Sequence, residues 1–502
     1  MKTSQSLSLV VIAFTAILLL SSPDPFLTLF AGAVLALGVN LLWPETGTPV
    51  LLLPFLLQWM SVSVKPIQSA LTGQPLNDFL ERGSADLSAA AWFSLFALAA
   101  LAIGMKLGAG GSRRNFAHEL SIDAVRLPKE LIIKASLVSI LAGHALDFGV
   151  RYAGPLTQPV LMMANIKLAG LFVLTYWCLS RGRSLGLLAV VVGFETINGM
   201  TGYFGEFRPV VLTTALAALA ARPKVNFGTI LAGSAGFVAI LTVVIFWSAI
   251  KPDYRSFVSG GADAMIVTNS LEERLTYLAD AATSFEADDF DRGLDSFVSR
   301  LSYIDFLAHA MGYTPRVMPF TGGTQTIQAL TFLIPRAVWP GKPVVPHDTV
   351  LTARYTGLGF TSMWTSISLG YLAELYIDFG TFGALIAMLA LGFAIGRAYR
   401  VLIDHHGLPT LANVALAAAA VMPVAYFERA LLKIVGGGLT MFLAALVIQR
   451  FIMPRALAIL DHRKALAAAT AAGRNSRHHT GINAAPRRPL TPRQSPPPHV
   501  RG

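Results

Sequence analysis

Arg300–Gly380 reads RLSYIDFLAHAMGYTPRVMPFTGGTQTIQALTFLIPRAVWPGKPVVPHDTVLTARYTGLGFTSMWTSISLGYLAELYIDFG. On both sides of it the chain is a series of apolar runs of membrane-spanning length. Within it those runs stop. Arginines, a lysine, a histidine, glycines and prolines come together, and a Glu-bearing segment that reads as an amphipathic helix leads into another apolar run. A polar insert of this size needs water or a ligand, because lipid cannot satisfy its backbone. It marks the working face of an all-α polytopic membrane protein.

Composition agrees. Apolar residues make up 54% of the 502 and charged residues 13%, against about 25% charged in a soluble domain. The length suits about 12 transmembrane helices of ~20 residues each. Spans are expected at 1–22, 26–43, 49–64, 87–105, 131–150, 157–179, 184–201, 203–221, 227–250, 380–399, 410–427 and 434–452. The first is expected to stay uncleaved, since no A-x-A site follows it. The stretch 203–221 is short between Arg208 and Arg222, so its helix is expected to begin before Arg208. The chain thus divides into nine spans in 1–250, one long external loop region with amphipathic helices in 251–379, three spans in 380–453, and a basic tail in 454–502.

Charge sets the orientation. Lys106, Arg113, Arg114, Arg126 and Lys129, then Arg181 and Arg183, then Arg222 and Lys224, then Arg397 and Arg400 fall on one side of a twelve-span chain. That side is the cytoplasm. The tail carries nine Lys and Arg against one Asp, which accounts for +8 of the net +11. A basic tail after a last span follows the same rule and does not call for nucleic acid as a partner. Its Pro- and Arg-rich composition reads as disordered. The lone cysteine, Cys178, excludes an intrachain disulfide.

Several residues carry potential chemistry. Arg208 stands at the mouth of a span, behind Gly199, Gly202 and Gly205. A guanidinium keeps its charge and presents a fixed fork of donors, which suits a phosphate. Arg300, Arg316, Arg336 and Lys342 form a second group, the last two in the rigid IPRAVWPGKP turn. Gly322 and Gly323 in FTGGTQT offer backbone N–H groups to an anion, as glycine nests do. Glu374 and His347 are the candidate general bases, with Asp348 beside His347. Tyr371, Glu374 and Asp378 recur at i, i+3 and i+7 on one helix face. So do His144, Asp147 and Arg151, which read as a local ion pair at a helix end. EERLTYLADAATSFEADDF reads as a helix ending in an acidic turn, so Asp288, Asp289 and Asp291 are not taken as a metal site. The Gly380/Gly383 pair is expected to allow close helix packing.

IPRAVWPGKP, the FTGGTQT patch before it and GYLAELYIDFGTFGALIAMLALGFAIG after it resemble the signature of bacterial Wzy-type oligosaccharide repeat-unit polymerases of O-antigen and exopolysaccharide synthesis. The resemblance covers about Arg300–Gly396. It implies a glycosyltransferase in the bacterial inner membrane. A glycan on undecaprenyl pyrophosphate would pass to the next lipid-linked repeat at the outer face, with no metal, cofactor or nucleotide sugar. Arg208, Arg300, Arg336 and Lys342 would hold the pyrophosphate, with Arg316, Gly322 and Gly323 in support. Glu374 or His347 would take the acceptor proton. Implied partners are the lipid-linked oligosaccharide, membrane lipid, and a chain-length regulator and flippase of the same pathway. An O-antigen ligase and a lipid-linked oligosaccharide flippase are the alternatives. A flippase should show internal repeats and mid-membrane polar residues, and no repeat is visible.

Overall fold

A computed structural model of the chain describes residues 3–456 and 458, apart from 44–45, 203–206, 222–226, 262–266, 332–333, 335–337, 344–345, 361–366 and 427. Its regular elements are all helical, with no strand among the described residues. Two units are distinguished, Met1–Val447 and Ile448–Gly502. In the second, Ile448–Ile452 forms a π-helical turn, and the Arg455 guanidinium donates to the Phe451 carbonyl (3.3 Å).

Among the described residues, seven helices are long and apolar enough to cross a membrane: Pro25–Leu42, Leu87–Ala109, Lys129–Tyr152, Thr157–Arg181, Ser234–Val258, Tyr371–Ile403 and Leu431–Ala456. The chain is a multi-pass membrane protein. The expectation of about twelve spans narrows accordingly. Leu7–Leu19, Leu185–Met200, Arg208–Ala221 and Thr410–Ala425 are apolar but shorter. The helix over the expected span 49–64 runs Leu52–Thr72 and carries a buried cation, Lys65. Lys65 donates to the Phe79 carbonyl (2.9 Å) and to Asp305 (2.6 Å), so the charge is satisfied within the protein. The helix expected to start before Arg208 begins at Arg208 itself.

The centre of the first unit is the pair Leu87–Ala109 and Tyr371–Ile403. Gly104 and Gly108 on one helix meet Gly392 and Gly396 on the other. A Cβ on Gly104 would lie 2.2 Å from the Leu389 carbonyl oxygen, and one on Gly396 2.1 Å from that of Met105. The backbones therefore touch, as small residues four apart permit in membranes. This replaces the Gly380/Gly383 expectation. Gly380 breaks the Tyr371–Ile403 helix with φ +66°, as expected of a glycine just before the span, but a Cβ on Gly383 would meet its own helix's Phe379 side chain. Helices Lys129–Gly149 and Ile166–Arg181 approach in the same way. Gly170 faces the Ser136 carbonyl, and the Ser139 hydroxyl donates to that of Ile166 (2.8 Å).

The segment before Gly380 differs from its expected amphipathic form. Every residue from Tyr371 to Asp378 is buried, so the helix is enclosed on all sides. The acidic turn differs too. Leu271–Thr283 starts with a capping box between Ser270 and Glu273, and DDFD lies in the first two turns of the next helix, Ala287–Leu301. Asp289 accepts from the Glu286 N–H (3.0 Å). Acids at a helix N-terminus satisfy its open donors.

Candidate functional site

The site is built where the C-terminal part of Phe227–Val258 meets Ala287–Leu301. Those two helices run side by side in parallel register. Gly293 lies against the Ile245 carbonyl, where a Cβ would sit 2.6 Å away, and the Ser296 hydroxyl donates to the Ser248 carbonyl (3.3 Å). Gly293, Ser296 and Arg300 follow at i, i+3 and i+7, so the same face brings Arg300 beside the end of its neighbour. Lys251 and Arg255 stand there one turn apart.

Arg208 completes the group from the start of its own helix. The charges of Arg208, Arg255 and Arg300 all act on Lys251. Arg300 is accessible to solvent, yet the surrounding protein desolvates it. Burial first, then the charges of Arg255 and Arg208, lower its pKa from the ordinary arginine value. Four cations are thus gathered within electrostatic reach of one another. Like charges repel there by an amount that an anion removes. Two of the four, Arg208 and Arg300, were legible as candidates. Lys251 and Arg255 were not singled out, although their i, i+4 spacing at the end of an apolar run is a usable signal.

Acidic groups face the cations. Glu428 Oε1 accepts from Arg208 Nη1 (3.3 Å). Tyr303 lies next to it, buried, with its pKa raised well above the ordinary tyrosine value. Burial is the main cause, and the nearby charges of Glu428, Glu374 and Asp348 add to it. Those three carboxylates therefore converge on one phenol. Glu374 is buried and accepts from the Leu431 N–H (2.8 Å), which caps the start of the Leu431–Val447 helix. Asp348 pairs with Lys433. His347 is exposed at the start of Asp348–Thr356. Both candidate bases thus border the same polar zone, Glu374 inside its wall and His347 on its surface.

Hydrogen bonds between neighbouring helices hold this zone in place. Thr201, at the end of Leu185–Met200, offers its carbonyl to Tyr254 Oη (3.0 Å) and to Arg274 Nη1 (2.7 Å). Phe207, Trp247, Tyr254 and Val258 pack beneath as one apolar cluster.

Other expected site residues lie elsewhere. Arg336 falls outside the described residues. Lys342 is buried in its turn, donating to the Ile334 carbonyl (3.0 Å). Arg316 is exposed near Tyr376. The FTGGTQT nest has an anion, but it is the chain's own. The N–H groups of Gln325 (2.9 Å) and Thr326 (2.7 Å) donate to the Asp378 carboxylate, and that of Gly322 to its carbonyl (3.1 Å). Gly322 and Gly323 therefore serve a helix cap rather than a phosphate. Nor do His144, Asp147 and Arg151 pair locally. His144 meets Glu195 of another helix (2.6 Å), Asp147 meets Lys167 (3.3 Å), and Arg151 lies over the Phe148 ring (4.7 Å).

Residues 93–398 match the model of a family described as a domain of unknown function (DUF8712). No curated protein matches the chain. No solved structure matches it either.

Proposed function

Since the chain belongs to the DUF8712 family, whose function is unknown, we propose from its own residues that it polymerises polyprenyl-pyrophosphate-linked oligosaccharide repeats by glycosyl transfer. The observation that carries this reading is the gathering of Arg208, Lys251, Arg255 and Arg300, with Glu428 linking them to the carboxylates around Tyr303. A pyrophosphate leaving group needs donors fixed where its charge develops. An acceptor hydroxyl needs a carboxylate or imidazole nearby to take its proton. A lipid-linked substrate needs both beside apolar helices.

In this mechanism the cations hold the pyrophosphate of the growing chain. The acceptor hydroxyl attacks the anomeric carbon as its proton passes to Glu374 or His347. The glycosyl–phosphate bond breaks and polyprenyl pyrophosphate leaves with the electron pair. No repeat was seen in the sequence, and the polar groups gather near helix ends, which favours this chemistry over transport. The test is reconstitution of the purified protein in liposomes with a lipid-linked repeat unit. Products of two, three and more repeats are expected, and their loss on Arg208→Ala. Movement of the intact repeat across the bilayer without elongation would overturn the proposal.

A further inference from the structure

The Thr324–Thr331 helix is built inside out for a segment in water. Its buried residues are Gln325, 8% exposed, and Ala329, 1%. Gln325 is satisfied there by the Tyr355 hydroxyl (3.3 Å). Its outward residues are Ile327 and Leu330, 60% and 51% exposed. They recur at i and i+3, so one apolar stripe faces away from the protein. Ile334, Val338 and Trp339 extend it, Val338 at 75%.

Two neighbours decide what covers this stripe. The helix packs against both Tyr371–Ile403 and Leu431–Val447. Each is a candidate span with its own exposed apolar face, Phe379, Phe382 and Ile386 on one and Leu439 and Leu443 on the other. The outward stripe is therefore placed between two lipid-facing surfaces. The join is tight. A Cβ on Gly380 would meet the Phe320 ring at 3.3 Å, and one on Gly323 the Phe379 ring at 3.3 Å. Irregular backbone can sit at membrane depth only when its polar groups are satisfied by protein. Here they are. Thr321 N–H donates to the Ile377 carbonyl (2.9 Å), and Gly322, Gln325 and Thr326 donate to Asp378.

We propose that the Thr324–Thr331 helix inserts into the membrane, with the Ile327–Leu330 stripe against lipid acyl chains and Trp339 at the headgroup level. Tryptophan prefers that level because its ring is apolar and its N–H polar. The inference holds whatever the chain acts on. It would put part of the region expected to be external, 251–379, at membrane depth.

The test uses the full chain in liposomes of phosphatidylethanolamine and phosphatidylglycerol. Cys178 is the lone cysteine and is buried, so a Cys178→Ala background admits single spin labels. Labels go at Ile327→Cys, Leu330→Cys and Val338→Cys, with Ile386→Cys as the lipid reference and Leu275→Cys as the water reference. Accessibility to oxygen and to a neutral nickel chelate is then measured. Labels at 327 and 330 are expected to match 386, with high oxygen and low nickel accessibility. Nickel accessibility equal to that at 275 would overturn the proposal, and so would exclusion of both reagents, which means a protein partner covers the stripe. Should the two helix variants fail to fold, Val338→Cys carries the same decision, because its side chain makes the least contact.

Discussion

Arg300 concentrates the electrostatics of the proposed site. The protein around it and the charges of Arg255 and Arg208 all disfavour its charged form, so binding an anion beside it relieves a standing cost. Arg208→Ala and Arg300→Ala are each expected to abolish polymer without lowering the amount of protein in the membrane. Arg300→Lys should restore only part, since an ammonium cannot make the bidentate contact. Full activity in Arg300→Ala would remove that residue from the site. The base is decided by separating turnover from binding. Glu374→Gln keeps an oxygen to accept from Leu431 N–H, so the helix cap survives. A base variant should bind a lipid-linked repeat normally and turn over about 10²–10⁴-fold more slowly. If His347→Ala slows turnover and Glu374→Gln does not, the proton goes to His347.

Two elements carry predictions about assembly. Gly293→Val places a Cβ 2.6 Å from the Ile245 carbonyl. It is expected to push the Ala287–Leu301 helix outward and carry Arg300 away from Lys251. Activity should fall while the spans remain folded, as a protease-resistant membrane core would show. Gly392→Val acts on the central pair instead, where even a Cβ is 2.3 Å from the Leu101 carbonyl. Overpacking of that kind costs about 1–3 kcal/mol or more, and thermal unfolding in detergent should register it. At the far end of Tyr371–Ile403, Arg114, Glu119 and Thr410 form a polar tie. The hydrogen bond from Arg114 holds the Glu119 carboxyl below its ordinary 4.5, and that from Thr410 assists. The folded state then resists protonation more than the unfolded one. The tie's stability is present above the unfolded value and is lost as pH falls through the folded one. Half-buried Asp123 nearby is shifted upward by desolvation and contributes with the opposite sign. The difference between wild type and Glu119→Gln isolates the tie. The wild type should lose more melting temperature on acidification, and equal slopes would show that Glu119 contributes nothing.

At the scale of the whole molecule, the polar groups gather around the two ends of Tyr371–Ile403. Glu374 and its neighbours mark one end, and Arg400, Asp404 and Arg114 the other. A helix of 33 residues is about 50 Å long, more than a bilayer needs. Arg114 and Arg400, from two of the turns expected in the cytoplasm, belong to the second end. With the shorter apolar helix Thr410–Ala425 counted as a crossing beside Tyr371–Ile403 and Leu431–Ala456, three crossings separate Ala310 from Arg455, and reporter fusions after those two residues should lie on opposite sides of the membrane. Finding both on one side would overturn the orientation and the placement of the cations outside.

The sequence by itself determined the class of this protein. Long apolar runs with few charges form helices in a membrane, because nothing else satisfies the backbone there, and that requirement is local. It also marked Arg208, at the mouth of an apolar run, and Arg300, in the polar insert, since both placements are visible without a fold. Tertiary structure decided which polar groups meet. Lys251 and Arg255 joined the two arginines because Gly293 and Ser296 set a helix register that no spacing in the sequence states. Asp378 took the FTGGTQT donors because a carboxylate more than fifty residues away, and not a ligand, lies at that helix start. The stripe of Ile327 and Leu330 reads as loop in one dimension. Only its packing between two lipid-facing helices gives its apolar side chains a direction.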